Sequence, residues 1–167
     1  VADPLIEPEQ IVIDVGGIPA PQGSMRAMLI KGKPVLVPGG SNANKKALKE
    51  WRGRIVYAVR DWLSHHHQEP LDEPLKIDLT FFMPMVESDR FRTRHATFPD
   101  KDKLTRAVFD ALTDSGLVKD DSRFFDIHTR ALYALPGNDT GCRITIWPCG
   151  WQEAADREVI KALRSRR

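Results

Sequence analysis

Apolar positions alternate with polar ones in some stretches of this chain and recur every three to four residues in others, which separates strands from helices. Ile11, Ile13 and Val15 predict a strand over residues 10–16 with one buried face. Leu75, Ile77, Leu79, Phe81 and Met83 give the clearest alternation in the chain and predict a second strand with those five residues facing the core. Residues 124–134 alternate again, with Phe125, Ile127, Ala131 and Tyr133 on one side and Asp126, His128 and Arg130 on the other. Leu48, Trp51, Ile55, Ala58, Val59 and Trp62 recur at helical spacing after the cap candidates Ser41, Asn42 and Asn44, and read as the core stripe of a long helix. That helix is expected to fray in His65, His66 and His67, which point in different directions and read as a solvated end rather than a metal site. Leu104, Ala107, Val108, Ala111 and Leu112 mark a second helix, and residues 151–167 a third with a basic end.

Breakers divide these elements. Residues 26–30 and 34–37 flank Lys31-Gly32-Lys33 as a short hairpin, with the glycine placed for the turn. Gly16-Gly17 and residues 19–23 interrupt regular structure, and residues 69–73 form a turn-rich link. Pro136 to Asp139 turn the chain into residues 142–147, an expected antiparallel hairpin with the preceding strand. Residues 1–9 read as a tail, and 10–167 as a single domain of the α/β (α+β) class: a mixed β-sheet packed by two main helices plus the C-terminal one. Trp147 and Trp151 could anchor that last helix on the sheet or lie in a dimer contact, with packing within the monomer expected.

Length and composition fit this outline. A chain of 167 residues with 41% hydrophobic and 29% charged residues has room for one domain with a real core and is neither disordered nor membrane-like. No apolar run is long enough to span a bilayer, and the first residues lack a signal-peptide pattern, so a cytoplasmic protein is expected. Cys142 and Cys149 are too few for a disulfide framework or a zinc site and read as ordinary thiols. The net charge of +2 says little, but the distribution of cations says more: Lys31 and Lys33, then Lys45, Lys46 and Lys49, then Arg90, Arg92 and Arg94, then Arg164, Arg166 and Arg167. The polar segment from 87 to 97 reads as a mobile basic loop that could clamp a phosphate backbone, or as a long connection only.

The acids concentrate in residues 99–123, PDKDKLTRAVFDALTDSGLVKDDSR. Asp100 and Asp102 stand before the second helix, Asp120 and Asp121 follow it, and Asp102, Arg106 and Asp110 share its polar face. If the chain turns back after Gly116, the second acidic pair could return towards the helix start. Hard cations such as Mg²⁺ favour carboxylate and water oxygens and leave positions for substrate phosphates, so the stretch could hold a phosphoester site. The same residues also suit a helix cap at Asp100, a dipole-stabilised acid at Asp102 and a turn at Asp120-Asp121-Ser122. Spacing leaves both readings open.

The order Asp100-x-Asp102-Lys103-Leu104, Arg106, Phe109-Asp110-Ala111-Leu112-Thr113 and Asp120-Asp121 resembles the RusA family of Holliday-junction resolvases, common in phages and prophages. The likeness extends to Pro19-Ala20-Pro21-Gln22-Gly23-Ser24 and the Ile144-Thr145-Ile146 strand, although only the aspartate-helix-aspartate core is specific. The resemblance implies a homodimer that resolves four-way DNA junctions in recombination and repair. Its cofactor would be Mg²⁺, with Mn²⁺ as a substitute. Asp100, Asp102 and Asp121 would be catalytic metal ligands, Asp120 a reserve ligand, and Arg106 the assisting cationic residue on the helix. Two positions depart from the best-known pattern: Lys103 stands where asparagine is common, and Arg106 where lysine is common. Both keep or add positive charge, but guanidinium can grip two phosphate oxygens where ammonium cannot, which leaves the detailed role of Arg106 open.

DNA contacts are expected from Arg26, Lys45, Lys46, Arg90, Arg92, Arg94 and Lys103. Asp126 reads as an outer acid or as the wet face of a strand. Two other functions fit the same residues: a junction- or duplex-binding protein that does not cut, its acids serving as caps and turns, and a metal-dependent nuclease acting on other branched or single-stranded nucleic acid.

Overall fold

The computed structural model describes residues 10–151 and 153–165; the expected tail, Arg166, Arg167 and the side chain of Arg26 lie outside the described residues. The elements follow the order β1 (Ile11–Gly16), β2 (Met25–Ile30), β3 (Lys33–Pro38), α1 (Asn42–His65), β4 (Leu75–Met83), α2 (Lys101–Ser115), β5 (Phe124–Tyr133), β6 (Gly141–Pro148) and α3 (Glu153–Arg164), with short 3-10 turns at Glu87–Asp89 and Asp121–Arg123.

Four strands form one mixed sheet in the order β1-β6-β4-β5, and β2 and β3 form a separate two-stranded hairpin. β6 is antiparallel to both β1 and β4, whereas β4 and β5 run parallel. The expected β5–β6 hairpin is therefore not formed. β6 bonds to β1 on one edge and to β4 on the other, and a parallel β4–β5 pair needs a crossover, which α2 supplies.

One face of the sheet is buried. Ile11, Ile13 and Val15 of β1, Leu75, Ile77, Leu79, Phe81 and Met83 of β4, and Cys142, Ile144 and Ile146 of β6 pack with Trp51, Ile55 and Val59 of α1 and Leu104, Ala107, Val108, Ala111 and Leu112 of α2. These are the helical stripes and strand alternations expected from the sequence. Burial in apolar surroundings raises the Cys142 thiol far above its ordinary range, and both cysteines are free thiols. The opposite face is polar and wet: Asp14 pairs with Arg143 at 2.8 Å, Asp78 with Arg130, and Asp126 with His128 at 3.1 Å. Asp126 is thus a wet-face residue.

β5 departs from the expected alternation at its start. A register shift beside Leu75 and Lys76 places Phe124 opposite Leu75 and Asp126 opposite Lys76, which leaves Phe125 without a cross-strand partner. Phe124 is buried and stacks on Phe109 with ring centres 4.5 Å apart, whereas Phe125 is 62% exposed. α3 forms as expected, but Trp151, Ile160 and Leu163 are exposed, so Trp151 does not anchor it within the monomer. Among the described residues no helix is long and apolar enough to cross a membrane.

Candidate active site

α2 begins at a proline and ends at a glycine. A cis peptide between Phe98 and Pro99 leads into Asp100, which takes the N-cap position with extended backbone, and Gly116 closes the helix in the left-handed conformation at φ 86°. An aspartate at an N-cap ordinarily accepts a hydrogen bond from the first turn. Asp100 does not: its side chain makes no capping bond and instead faces Lys103, with the Nζ 3.3 Å from its Oδ2. Among the described residues the side chains of Asp102 and Arg106, one turn apart on the exposed face, have neither hydrogen bond nor ion pair. Asp100 thus holds the expected cap position, and Asp102 the expected first turn, without the capping bond.

The surroundings keep this end of the helix open. Residues Ala96 to Asp102 line a shallow polar cavity of about 500 Å³. The loop before β2 is tied to the first turn by Gln22, whose backbone N–H donates to the Lys103 carbonyl at 2.9 Å. A larger cavity of about 830 Å³ lies between β1 and α1, but its one sheet carboxylate, Asp14, is held by Arg143 well below the ordinary range.

The second acidic pair does not return to the helix start. Beyond Gly116 the Leu71 N–H donates to the Leu117 carbonyl at 2.8 Å and the Lys119 N–H to the Leu71 carbonyl at 3.0 Å. Asp72 then binds both Lys119, at 2.6 Å, and Arg123, at 2.8 Å, and these two cations hold its carboxyl below the usual range. This pairing directs the segment into β5, which runs back along α2 from its C-terminal half: Phe124 meets Phe109, and Thr129 Oγ1 lies 3.0 Å from Thr105 Oγ1. Phe109 lies seven positions after Asp102, about 10 Å along the axis at the helical rise. Asp121 is exposed, and its carboxylate has no partner among the described residues. Asp120 behaves as the turn reading expects, its carboxylate accepting from the Ser122 N–H at 2.8 Å, and hydrogen bonds from Ser122 hold it below the ordinary range. Among the described residues no three His, Cys, Asp or Glu side chains come together as a metal site.

The basic segment from 87 to 97, read as a mobile loop or a long connection, is tied to β5 through residues 93–95. Arg94 bridges to Leu132, and the His95 N–H donates to the Ala131 carbonyl at 3.1 Å. Asp89 is buried, accepts from the Tyr133 hydroxyl and pairs with Arg92 at 3.2 Å; the hydrogen bond to Asp89 raises the Tyr133 pKa. Arg90 pairs with Glu87 at 2.7 Å, and Arg94 remains exposed. Lys45 and Lys46 are exposed on the first turns of α1, with Lys46 3.9 Å from Glu50.

Long-range pairings that local spacing does not reveal complete the picture. Arg52 of α1 donates to Asp110 at 3.3 Å and to Asp114, and Arg60 reaches the Asp114 carbonyl at 3.5 Å. Asp110, on the polar face expected to carry the chemistry, thus joins two helices. The one sequence signal for this is the helical spacing of Asp110 and Asp114; nothing local marks their partner.

A family model described as endodeoxyribonuclease RusA matches residues 21–146, from the loop before β2 to the sixth residue of β6. No curated protein matches the chain.

Proposed function

Because the chain belongs to the endodeoxyribonuclease RusA family, we propose that it hydrolyses phosphodiester bonds in four-way DNA junctions as a homodimer that depends on Mg²⁺. The observation that carries this reading is the state of the α2 N-terminus, where Asp100 stands at a cap position without capping and Asp102 and Arg106 stand unpaired beside it. Two carboxylates and open water positions fit Mg²⁺, which is commonly held through one or two carboxylates with substrate phosphates completing the shell.

Asp100 and Asp102 would hold the metal, and Asp121 would add the third carboxylate. When bound, the metal supplies a water of lowered pKa and neutralises charge on the phosphate. Arg106 lies one turn beyond Asp102 and orients a phosphate by two parallel N–H donors, stabilising charge as it builds on the oxygens. Lys103 contacts Asp100 through Oδ2 alone, which leaves the second carboxylate oxygen open. Arg94, Lys45 and Lys46 contribute to the cationic surface that holds the DNA backbone.

The separation of Asp121 from the other two acids within one chain supports a site shared between protomers. Resolving a junction takes two related cuts, and a twofold pair supplies two symmetry-related sites. The test is cleavage of a labelled four-way junction beside linear duplex, with Mg²⁺ and with chelator. Paired nicks in the junction alone support the reading; tight binding without nicks under any metal leaves a non-cutting junction binder, and equal cutting of duplex leaves a nuclease of other specificity. Mixing inactive Asp102→Asn and Asp121→Asn proteins tests the shared site. After random exchange about a quarter of the wild-type sites become complete if each site draws on both protomers, and none if each lies within one chain.

A further inference from the structure

The β2–β3 hairpin presents an apolar face to solvent. Register pairs Ala27 with Leu36 and Leu29 with Pro34, so Met25, Ala27 and Leu29 share a face with Pro34 and Leu36, and no polar side chain stands among them. Met25, Leu29 and Leu36 are 57%, 75% and 66% exposed. A lone two-stranded hairpin is marginal in water, and one with a bare apolar face needs a cover.

The same chain carries a surface suited to be that cover. β5 is an edge strand, and among the described residues only its last three are bridged, by residues 93–95, so its outer edge is open from Phe124 to Arg130. Beside that edge stand Phe125 and Ile127, 62% and 47% exposed. The charges are complementary. The hairpin has Lys31 and Lys33 at its tip and no acid from Ser24 to Pro38, whereas β5 and the turn before it carry Asp120, Asp121 and Asp126, the last beside His128 at 3.1 Å, with Arg123 and Arg130 committed to Asp72 and Asp78. Nucleic acid would demand cations where the hairpin face has none.

We propose that the β2–β3 hairpin is an arm that seats its apolar face on the open β5 edge of a second copy, over Phe125 and Ile127. The arm springs from the loop tied to Lys103 on the turn that carries Asp102, and its seat adjoins Asp121. Reciprocal seating therefore joins the two separated parts of the aspartate set across the dimer. This last consequence rests on the nuclease reading; the seating does not.

The test compares the unaltered chain with Leu29→Glu/Leu36→Glu and with Phe125→Glu by sedimentation velocity and circular dichroism. A dimer that becomes a folded monomer in both variants is the expected result. In a Cys149→Ser background, oxidation of mixed Leu36→Cys and Phe125→Cys chains is expected to yield a covalent heterodimer. Variants that stay dimeric, an unaltered chain that is monomeric throughout, or Cys variants that fail to cross-link overturn the proposal. So does loss of junction binding with dimerisation intact, which would make the arm a DNA contact. A dimer joined this way that cuts nothing sinks the nuclease reading alone; a cutting dimer joined by another face sinks the arm alone.

Discussion

The two ends of α2 carry the same acid in opposite circumstances. In the last two turns Asp110 and Asp114 are gripped by Arg52, which lies 58 residues before Asp110 in the chain and crosses from α1. In the first turn Asp102 stands exposed, and Arg106, which could reach back to it, makes no such pair. What leaves a carboxylate unpaired here is the lack of a cation brought to it by tertiary structure. Helix position alone makes the two ends look alike.

Substitutions at the two ends should behave differently. Asp102→Asn is expected to lower junction cleavage by more than about 100-fold while leaving junction binding and the melting temperature close to wild type. Unchanged cleavage would erase the distinction between the two ends. Arg106→Ala should lower cleavage by about 10- to 100-fold, with Arg106→Lys recovering part of it, as a phosphate-orienting cation would and a surface charge would not. Arg52→Ala should do the reverse. It is expected to cost about 1 kcal/mol of stability in a denaturant melt, the range for partly exposed pairs, with cleavage per folded molecule retained.

The smallest effect concerns the segment that leads into Asp121. Lys119 and Arg123 lower the Asp72 pKa from 3.8, so its contribution to stability is present above that value and fades as pH falls through the lower folded value. An Asp72→Asn chain should therefore melt slightly below wild type at neutral pH, and the gap should close in acid below about pH 3.8. A gap that persists in acid would assign the anchoring of this segment to the Leu71 backbone pairing instead.

Much of the fold is legible in the sequence because burial on one side imposes a period. The stripes of α1 and α2 and the alternation of β4 mark their inner faces before any contact is known. The β5–β6 relation is not legible, since Pro136-Gly137-Asn138-Asp139 would serve a hairpin as well as a crossover, and the choice depends on which strand fills the gap between β1 and β4. Phe125 is misassigned for a similar reason: a one-residue shift opposite Leu75 exchanges it with Phe124 without altering the local pattern. The site divides in the same way. Spacing places Asp100, Asp102 and Arg106 on one accessible end of a helix, but the direction taken after Gly116 depends on Leu71 and Asp72, far back in the chain.

The place of β6 in the sheet also governs the order in which the molecule can be completed. Its residues are joined last among the strands, yet it lies between β1 and β4 and pairs Ile11 with Ile146. A nascent chain emerging from the ribosome has β1, β4 and their helices long before the strand that unites them. Until β6 arrives, both of these strands keep an unpaired edge, and closure must bring together residues from nearly opposite ends of the described chain. Such non-local closure is slow and leaves strand edges open to wrong pairing. Assembly is thus expected to be limited by insertion of one strand, with α2 held on a finished sheet only after synthesis has passed Pro148.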